Sequence, residues 1–354
     1  MSPAAEAEPD SLVPDDSALA STGPASTGPA SAEFARLTDP FRAELLVHCY
    51  RMLGSVHDAE DLVQETYLRA WRSYDRFEGR SSLRTWLHTI ATRACLTALE
   101  SRSKRPLPTG LGNPSGDPTD DLVQRTEVPW LEPVPDALVG AEGSDPAAIV
   151  TSRESIRLAL IAALQHLPPR QRAVLILREV LQWKAAEVAE LLDTTTVAVN
   201  STLQRARAQL DQASLSEDQI HEPEAAQTRE LLDRYVAAFE DKDIQKIVDL
   251  FTKDAVWEMP PFDAWYQGAE TIGRLIDTQC PARGPGDMRL LPTQANGQPA
   301  FGLYMLGADG VHRAFQLHVL QLRGAGVEHV VCFFDLTLFP LFGLPESLPA
   351  EPAA

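Results

Sequence analysis

Two stretches of this chain, residues 36–105 and 146–212, keep apolar side chains at 3.6-residue spacing, and the run between them cannot. Proline interrupts the first only at Pro40 and the second only at Pro168-Pro169. By contrast, Pro106 to about Asp145 is crowded with Pro and Gly and carries eight acids against one Arg. Periodicity of that length predicts two all-α modules, and the Pro/Gly run between them predicts an acidic flexible linker. Ahead of them, residues 1–34 are rich in Ser, Pro, Ala and Gly and repeat STGPA at 21–25 and 26–30, which predicts a disordered tail. From Thr228 onward two short helices give way to alternating apolar runs, Phe315, Leu317 and Val319 being separated by Gln316 and His318. That pattern predicts a third module of α+β class. The expected boundaries are 1–34, 35–105, 106–145, 146–213 and 228–345.

The formal charge of −19 argues against a generic basic coat for nucleic acid, but it is unevenly spread. Residues 36–105 are +3 and residues 151–212 are +2, which leaves −24 for the remainder. Modules so weakly basic release few counterions on DNA and need a partner to bind well. The four cysteines, Cys49, Cys95, Cys280 and Cys332, are far apart and form no C-x-x-C pair, which argues against a zinc site and a disulfide framework. No apolar run approaches a membrane span, and a cytoplasmic location without membrane contact is expected.

Within the first helical module, Ala59, Leu62, Val63, Thr66, Tyr67, Ala70 and Trp71 make one continuous stripe, expected to face the core. Asp61, Gln64, Glu65 and Leu68 make a second stripe of acid, amide and aliphatic character, which suits docking on a basic partner as well as ordinary solvation. A loop, Tyr74 to Ser82, ends in serines suited to cap the next helix, Leu83 to about Lys104. Leu83, Trp86, Leu87 and Ile90 start its core face. Its outer face and end are expected to offer Arg84, His88, Thr92, Arg93, Arg102 and Lys104, joined by Arg105. Basic residues beside the loop aromatics suit unpaired bases, each of which offers a π-face and a charge.

Asp58-Ala-Glu-Asp61-Leu-Val-Gln64-Glu65-Thr-Tyr67-Leu-Arg-Ala-Trp71, with Phe77-Glu-Gly79 and Leu83-Arg-Thr-Trp86-Leu-His-Thr-Ile-Ala91, resembles region 2 of the extracytoplasmic-function (ECF) sigma factors, in the sigma-70 family. The resemblance implies that Asp61, Gln64, Glu65 and Leu68 dock on the β′ clamp helices of core RNA polymerase. It also implies that Phe77, Arg80, Ser81, Arg84, Trp86, His88 and Arg93 handle a base flipped from the −10 element. Arg93 stands where many members carry Asn.

In the second module Pro168-Pro169 opens an apolar helix that runs to about residue 179. A helix over Lys184–Leu192, a turn at Asp193-Thr194 and a helix over Thr195–Leu210 follow, at helix-turn-helix spacing. Val199, Leu203, Ala206 and Leu210 form its inward stripe, leaving Thr196, Val197, Asn200, Ser201, Gln204, Arg205 and Arg207 as base and phosphate readers by type. A three-helix protein-interaction bundle would share the pattern. Leu167-Pro-Pro-Arg-Gln-Arg172, Glu187-Val-Ala-Glu-Leu-Leu and Val199-Asn-Ser-Thr-Leu203-Gln-Arg-Ala-Arg207 resemble sigma region 4. That resemblance implies −35 recognition through Thr195, Thr196, Asn200, Ser201, Gln204 and Arg205, with the β flap as a further polymerase contact. Asp193 replaces the usual turn Gly as a left-handed residue, and Asn200 stands where many relatives have Lys.

Trp130-Leu-Glu-Pro133 in the linker is similar to a Trp-Leu-Pro-Glu-Pro motif of sigma factors with C-terminal SnoaL-like extensions, which makes Trp130 a candidate regulatory anchor. Asp254-Ala-Val-Trp257-Glu-Met-Pro-Pro261 and Trp265-Tyr-Gln-Gly268 resemble the first strand and turn of the SnoaL-like α+β cone. Further strands are expected at about 301–306, 311–322 and 327–339. Trp257, Asp263, His318 and Asp335 are the candidate pocket residues, the ionisable ones being those an acid/base cyclase would use. No nucleophile–base motif, metal spacing or phosphate loop accompanies them, so no catalytic residue, metal or cofactor is assigned.

The resulting expectation is a sigma factor that directs polymerase to promoter DNA, its C-terminal domain regulating it rather than catalysing. An anti-sigma protein or a small-molecule ligand remains open as a further partner. The competing readings are a cyclase or isomerase tethered to DNA-binding helices, and an ordinary helix-turn-helix repressor, which leaves the Asp61, Gln64 and Glu65 face unexplained.

Overall fold

The computed structural model describes residues 29–101, 104–139, 155–212 and 225–349. The expectations for residues 1–28 and for Arg102, and the end of the linker from residue 140, lie outside them. Compact units divide after Pro40. On the first side, α1 (Pro29–Thr38) occupies the end of the segment expected to be disordered, and Thr38 Oγ1 donates to Phe34 O at 2.9 Å.

The second unit begins with α2 (Arg42–Leu53), α3 (Val56–Ser73) and α4 (Leu83–Glu100). Ser55 caps α3 by accepting from Asp58 N at 3.1 Å, and Ser82 caps α4 by accepting from Thr85 N at 3.0 Å. Gly54 ends α2 in the left-handed region, φ 71°, and a Cβ there would lie 2.9 Å from the Gln165 side chain. Glycine alone meets both demands. Leu45, Cys49, Met52, Ala59, Val63, Ala70, Leu87, Ala91 and Cys95 fill the bundle.

After a single turn, α5 (Asp136–Val139), the second module follows as α6 (Leu158–His166) and α7 (Pro169–Leu175). One π turn over Ile176–Val180 continues α7, where a plain α-helix was expected. Then come α8 (Ala185–Leu191) and α9 (Thr196–Gln212). Asp193 has φ 51° at the turn, as the missing glycine requires.

The third module contains α10 (Ala225–Glu240), α11 (Ile244–Leu250), β1 (Phe251–Glu258), β2 (Trp265–Gln267) and α12 (Ala269–Gln279). β3 (Met288–Ala295), β4 (Gln298–Leu306), β5 (His312–Arg323) and β6 (Gly326–Phe333) complete the main sheet, in the order β2-β1-β6-β5-β4-β3. Among the described residues only β1 and β6 pair in parallel. A last helical turn, α13 (Leu338–Leu341), leads to β7 (Ser347–Leu348) against the start of β5. Leu231, Tyr235 and Phe239 of α10, with Ile247, Leu250, Ile272 and Leu275, pack against Trp257, Phe301, Leu303, Leu320 and Val330 inside the curved sheet.

The outer face of that sheet is covered too. Leu107 of the linker and Leu158 and Ala159 of α6 close over Val319, Gln321, His329 and Val331 around a void of about 10 Å³. A Cβ on Gly302 would meet Leu344 and Phe339 of the C-terminal strap. The segment read as a flexible linker is therefore held over residues 104–139. Its bonds include Arg125 N to Pro261 O, 2.8 Å, Ser115 N to Trp265 O, 2.8 Å, and Asp263 N to Val123 O, 3.3 Å. Regular structure in these residues is confined to a 3-10 turn at Pro108–Gly110 and to α5, and backbone groups without a helix or sheet of their own bond to a neighbour instead.

The two helical modules meet at Arg172, which is 2% exposed. Its Nη1 donates to Met52 O and to Gln165 Oε1 at 2.7 Å, and its Nη2 to Gln165 O at 3.2 Å and Leu167 O at 3.1 Å. Burial pushes this guanidinium down to about 10, still charged at neutral pH. Arg51 donates from the other side to Ser155 O at 3.2 Å and to Ser155 Oγ. Arg172→Ala would orphan several buried acceptors and should lower stability by about 3 kcal/mol or more. Urea denaturation followed by tryptophan fluorescence reads this, and an unchanged midpoint would contradict the account.

Candidate nucleic-acid interface

On α3 the apolar stripe sits inward at Ala59, Val63, Thr66 and Ala70. Trp71, expected in the core, is 41% exposed, and Leu68 is 52% exposed. Asp61 and Gln64 are exposed, while Glu65 is half-buried and accepts from Arg69 Nε at 2.6 Å. The face read from sequence is therefore on the surface, and Trp71 enlarges its apolar part.

Beyond α3, Arg76, Phe77, Glu78, Arg80, Ser81 and Trp86 line an open concavity of about 300 Å³. Phe77 and Trp86 lie 4.8 Å apart between ring centroids, and Tyr74 stacks on Phe77 at 6.5 Å. Arg80 pairs with Glu78 at 2.5 Å and remains largely exposed, as does Ser81. An aromatic wall with a guanidinium at its rim can hold a planar base by stacking and its phosphate by charge.

Of the expected outer face of α4, Arg84 and Arg93 are exposed and His88 and Thr92 are not. Arg84 is committed to Glu44, Nε to Oε2 at 2.9 Å. His88 is a correction: it is fully buried, 3.2 Å from Glu44 Oε1, with its ring edge toward Trp183 at 6.5 Å. Thr92 is likewise buried, and it bonds His48 Nε2 at 2.9 Å. These two fall on the turns that face α2 and α7, so they are packing groups and cannot touch a base. Burial pushes Glu44 up, but the adjacent His88 and the hydrogen-bonded Arg84 outweigh it and hold the carboxyl near 2. Lys104 is exposed. Arg105 is turned inward, to Asp58 at 2.6 Å, Glu132 at 3.5 Å and Trp130 O at 2.8 Å.

In α9, Val199, Leu203 and Ala206 are buried as expected. Thr195 caps the helix, its Oγ1 accepting from Ala198 N at 3.2 Å. Thr196, Asn200, Gln204 and Arg205 are exposed, and Val197 is 76% exposed. Ser201 is half-buried and donates to Ala198 O at 3.1 Å. Arg205 reaches back only to Thr202 Oγ1, 3.0 Å, whereas Arg207 pairs with Glu179 at 2.7 Å. One helix face thus offers an amide, a second amide, a guanidinium and an apolar group, the set a major groove reads.

The candidate pocket residues do not form a site together. His318 is fully buried in an aromatic box: Phe239 and Trp257 each 5.5 Å away, Tyr235 at 6.1 Å. Its Nδ1 shares a hydrogen bond with Tyr235 Oη at 2.8 Å, and its Nε2 lies 2.7 Å from Gln316 Nε2. Trp257 Nε1 is buried with no hydrogen-bond partner among the described residues. Asp263 is on the rim, paired with Arg125 at 2.8 Å, and Asp335 is exposed and caps Thr337 at 2.9 Å. Among the described residues no group of three His, Cys, Asp or Glu could hold a metal, and no helix is long and apolar enough to cross a membrane.

Trp130 is half-buried, and its indole bonds only within the linker, to Arg125 O at 3.0 Å. Its neighbours do the anchoring. Leu131 is fully buried, and Glu132 accepts from Ser55 Oγ at 2.7 Å and meets His57 Nδ1 at 2.9 Å. Sequence reasoning missed Glu132, and also Glu258, a buried carboxylate bonded to His329 at 2.7 Å and to Thr109 N at 2.7 Å. It missed Asn296 as well, although Asn-Gly between apolar runs is a hairpin signal.

Three family profiles match in the order of the modules: Sigma-70 region 2 over residues 39–105, Sigma-70 region 4 over 157–210, and a SnoaL-like domain over 232–330. The ECF RNA polymerase sigma factor SigG of Mycobacterium tuberculosis is 62% identical over 317 residues, 89% of this chain and 85% of its own. The chain belongs to the ECF RNA polymerase sigma factors. SigJ of the same organism is 31% identical over 77% of this chain and 81% of its own length. The crystal structure of SigJ superposes with a TM-score of 0.56 at 25% identity, over 89% of this chain and 99% of that one. Members of this family are transcription initiation factors, and this ECF factor combines the two helical sigma regions with a SnoaL-like domain.

Burial pushes His318 down to about 3, below the ordinary value near 6.5. An unfolded chain therefore binds a proton here that the folded one refuses, and the contribution is whole above about pH 6.5 and lost as pH falls toward 3. His318→Phe should lower the urea midpoint at pH 7, by orphaning Tyr235 and Gln316, yet shrink the drop between pH 7 and pH 5. An undiminished drop would place the acid sensitivity elsewhere.

Proposed function

We propose that this sigma factor grips core RNA polymerase through Asp61, Gln64, Glu65 and Leu68 on α3, with Trp71 beside them. The Phe77–Trp86 concavity takes a −10 base, and the exposed face of α9 reads the −35 duplex. The SnoaL-like domain regulates the factor by holding the two sigma modules together. It does so by contact, its interior being filled by Tyr235, Phe239, Trp257, Phe301 and His318.

The observation that carries this reading is a mismatch of lengths. A module of 60–70 residues has a radius of gyration of about 11 Å, so two in contact have centres about 30 Å apart. Elements near −10 and −35 are separated by about 25 base pairs, or about 85 Å of helix rise. Modules tied through Arg172 to Met52 and Arg51 to Ser155 cannot reach both. The packed form is then a holding state, and polymerase binding draws the modules apart.

Run-off transcription with core polymerase on a promoter library tests the reading. Discrete start sites are expected from the full chain, with output altered by truncation after Gln212. Asp61→Ala and Gln64→Ala should weaken polymerase binding. Arg205→Ala should leave it intact and cost about 1–3 kcal/mol of −35 binding. Equal loss of polymerase affinity in all three variants would sink this division of labour, and no start sites with a folded protein would sink the whole reading.

A further inference from the structure

The tip of the β3–β4 hairpin is a polar residue with no exposed surface. Asn296 is fully buried at φ 57° and Gly297 follows at φ 69°, the left-handed pair that a two-residue hairpin turn demands. A hairpin tip in water satisfies its amide with solvent, but this one is satisfied by three other stretches of chain. Asn296 Nδ2 donates to Tyr50 Oη at 2.8 Å, in α2 of the first sigma module, and to Ile156 O at 2.6 Å, leading into the second. Its Oδ1 accepts from Val134 N at 2.9 Å in the linker, and its backbone N–H donates to Val134 O at 3.0 Å. Both amide donors and the amide acceptor are thereby used.

The surrounding bonds extend the same pattern. Tyr50 Oη donates onward to Glu132 O at 2.8 Å. Gly297 N donates to Asp136 Oδ1 at 2.8 Å, and Leu158 N to Gln298 Oε1 at 3.1 Å.

We propose that Asn296 is a three-way latch, one side chain to which the first sigma module, the linker and the second sigma module are all fastened. This inference rests on the reading of the packed form as a holding state, and it adds where that state is released. If one segment leaves, a buried donor or acceptor of the shared Asn296 amide is orphaned, and loss of Tyr50 orphans Glu132 O in the linker as well, so the contacts favour breaking together. Asparagine suits the position on two counts. It tolerates the left-handed backbone, and it supplies donors and an acceptor from one planar group. Aspartate would share the shape and backbone tolerance but would turn a carboxylate oxygen toward Ile156 O.

The test compares full-length wild type, Asn296→Asp, Tyr50→Phe and the double variant. Fluorophores attached through unnatural amino acids at the exposed positions 72 and 208 report the separation of the two modules by energy transfer. Asn296→Asp is expected to lengthen the separation and to tighten binding to core polymerase about tenfold, the scale of one orphaned buried group. Tyr50→Phe is expected to act in the same direction but less, and the double variant by less than the sum of the two, because the hydroxyl accepts from the amide as well as donating to Glu132 O. A residue that merely stabilised the hairpin would lower the unfolding midpoint without changing the separation. An unchanged separation in a folded Asn296→Asp chain overturns the latch. Should that variant fail to fold, an unchanged separation in Tyr50→Phe overturns it. A lengthened separation supports the latch even where polymerase affinity stays the same, and that combination would instead remove the holding-state reading.

Discussion

A curved sheet has two faces, and in the SnoaL-like domain both are apolar. The inner face closes over α10, α11 and α12. The outer face presents Leu317, Val319, Val331 and Phe333 and is met within the domain by the short α13 turn and the strap after it. Left in water, such a surface would be a liability of the kind that marks an interaction site. The chain resolves this by laying the linker, α6 and the C-terminal strap across it. Much else follows from that one requirement, including the fixed path of residues 104–139 and the proximity of the two sigma modules.

Charge supports the arrangement without driving it. Exposed pairs such as Arg69–Glu65 and Arg313–Asp309 add little individually. The consequential polar groups are those withdrawn from solvent: Arg172, Arg51, Arg105 with Asp58 and Glu132, and Glu258 with His329. Each joins segments far apart in sequence. Deleting one partner would leave the other stranded, so these ties fix register more than they add stability. The acidic linker thereby has a definite path despite lacking regular structure.

Local features were legible in the sequence because their causes are local. Ser82 capping α4, Asp193 in the left-handed turn and the inward stripe of α9 depend on residues a few positions apart, and periodicity exposes them. Basic and aromatic residues in the Tyr74–Ser82 loop were legible by type, but Trp86, read as core-facing on α4, lines the same concavity as Phe77. His88 and Thr92 were misread because their burial depends on α2 and on Trp183 in another module, which no pattern within α4 reveals. The same holds for β5. Alternation marked two faces correctly but could not say that the apolar row, Leu317 and Val319, faces outward under α6 while His318 faces the core. The β3 strand was missed because Pro292, Thr293 and Gln294 dilute its apolar character. Its pairing with β4, continuous from Met288 to Ala295, comes from the partner strand.

The position of the hairpin along the chain gives the molecule a history during its own synthesis. Both sigma modules are complete by Gln212, and Asn296 follows 84 residues later. At ribosomal rates of about 5–20 residues per second, that interval lasts on the order of ten seconds. Through it, the exposed faces of α3 and α9 exist on a nascent chain that lacks the hairpin residue bonded to both modules. Closure is then a late event in the life of each molecule, and the earliest partner those surfaces encounter is whatever waits near the ribosome.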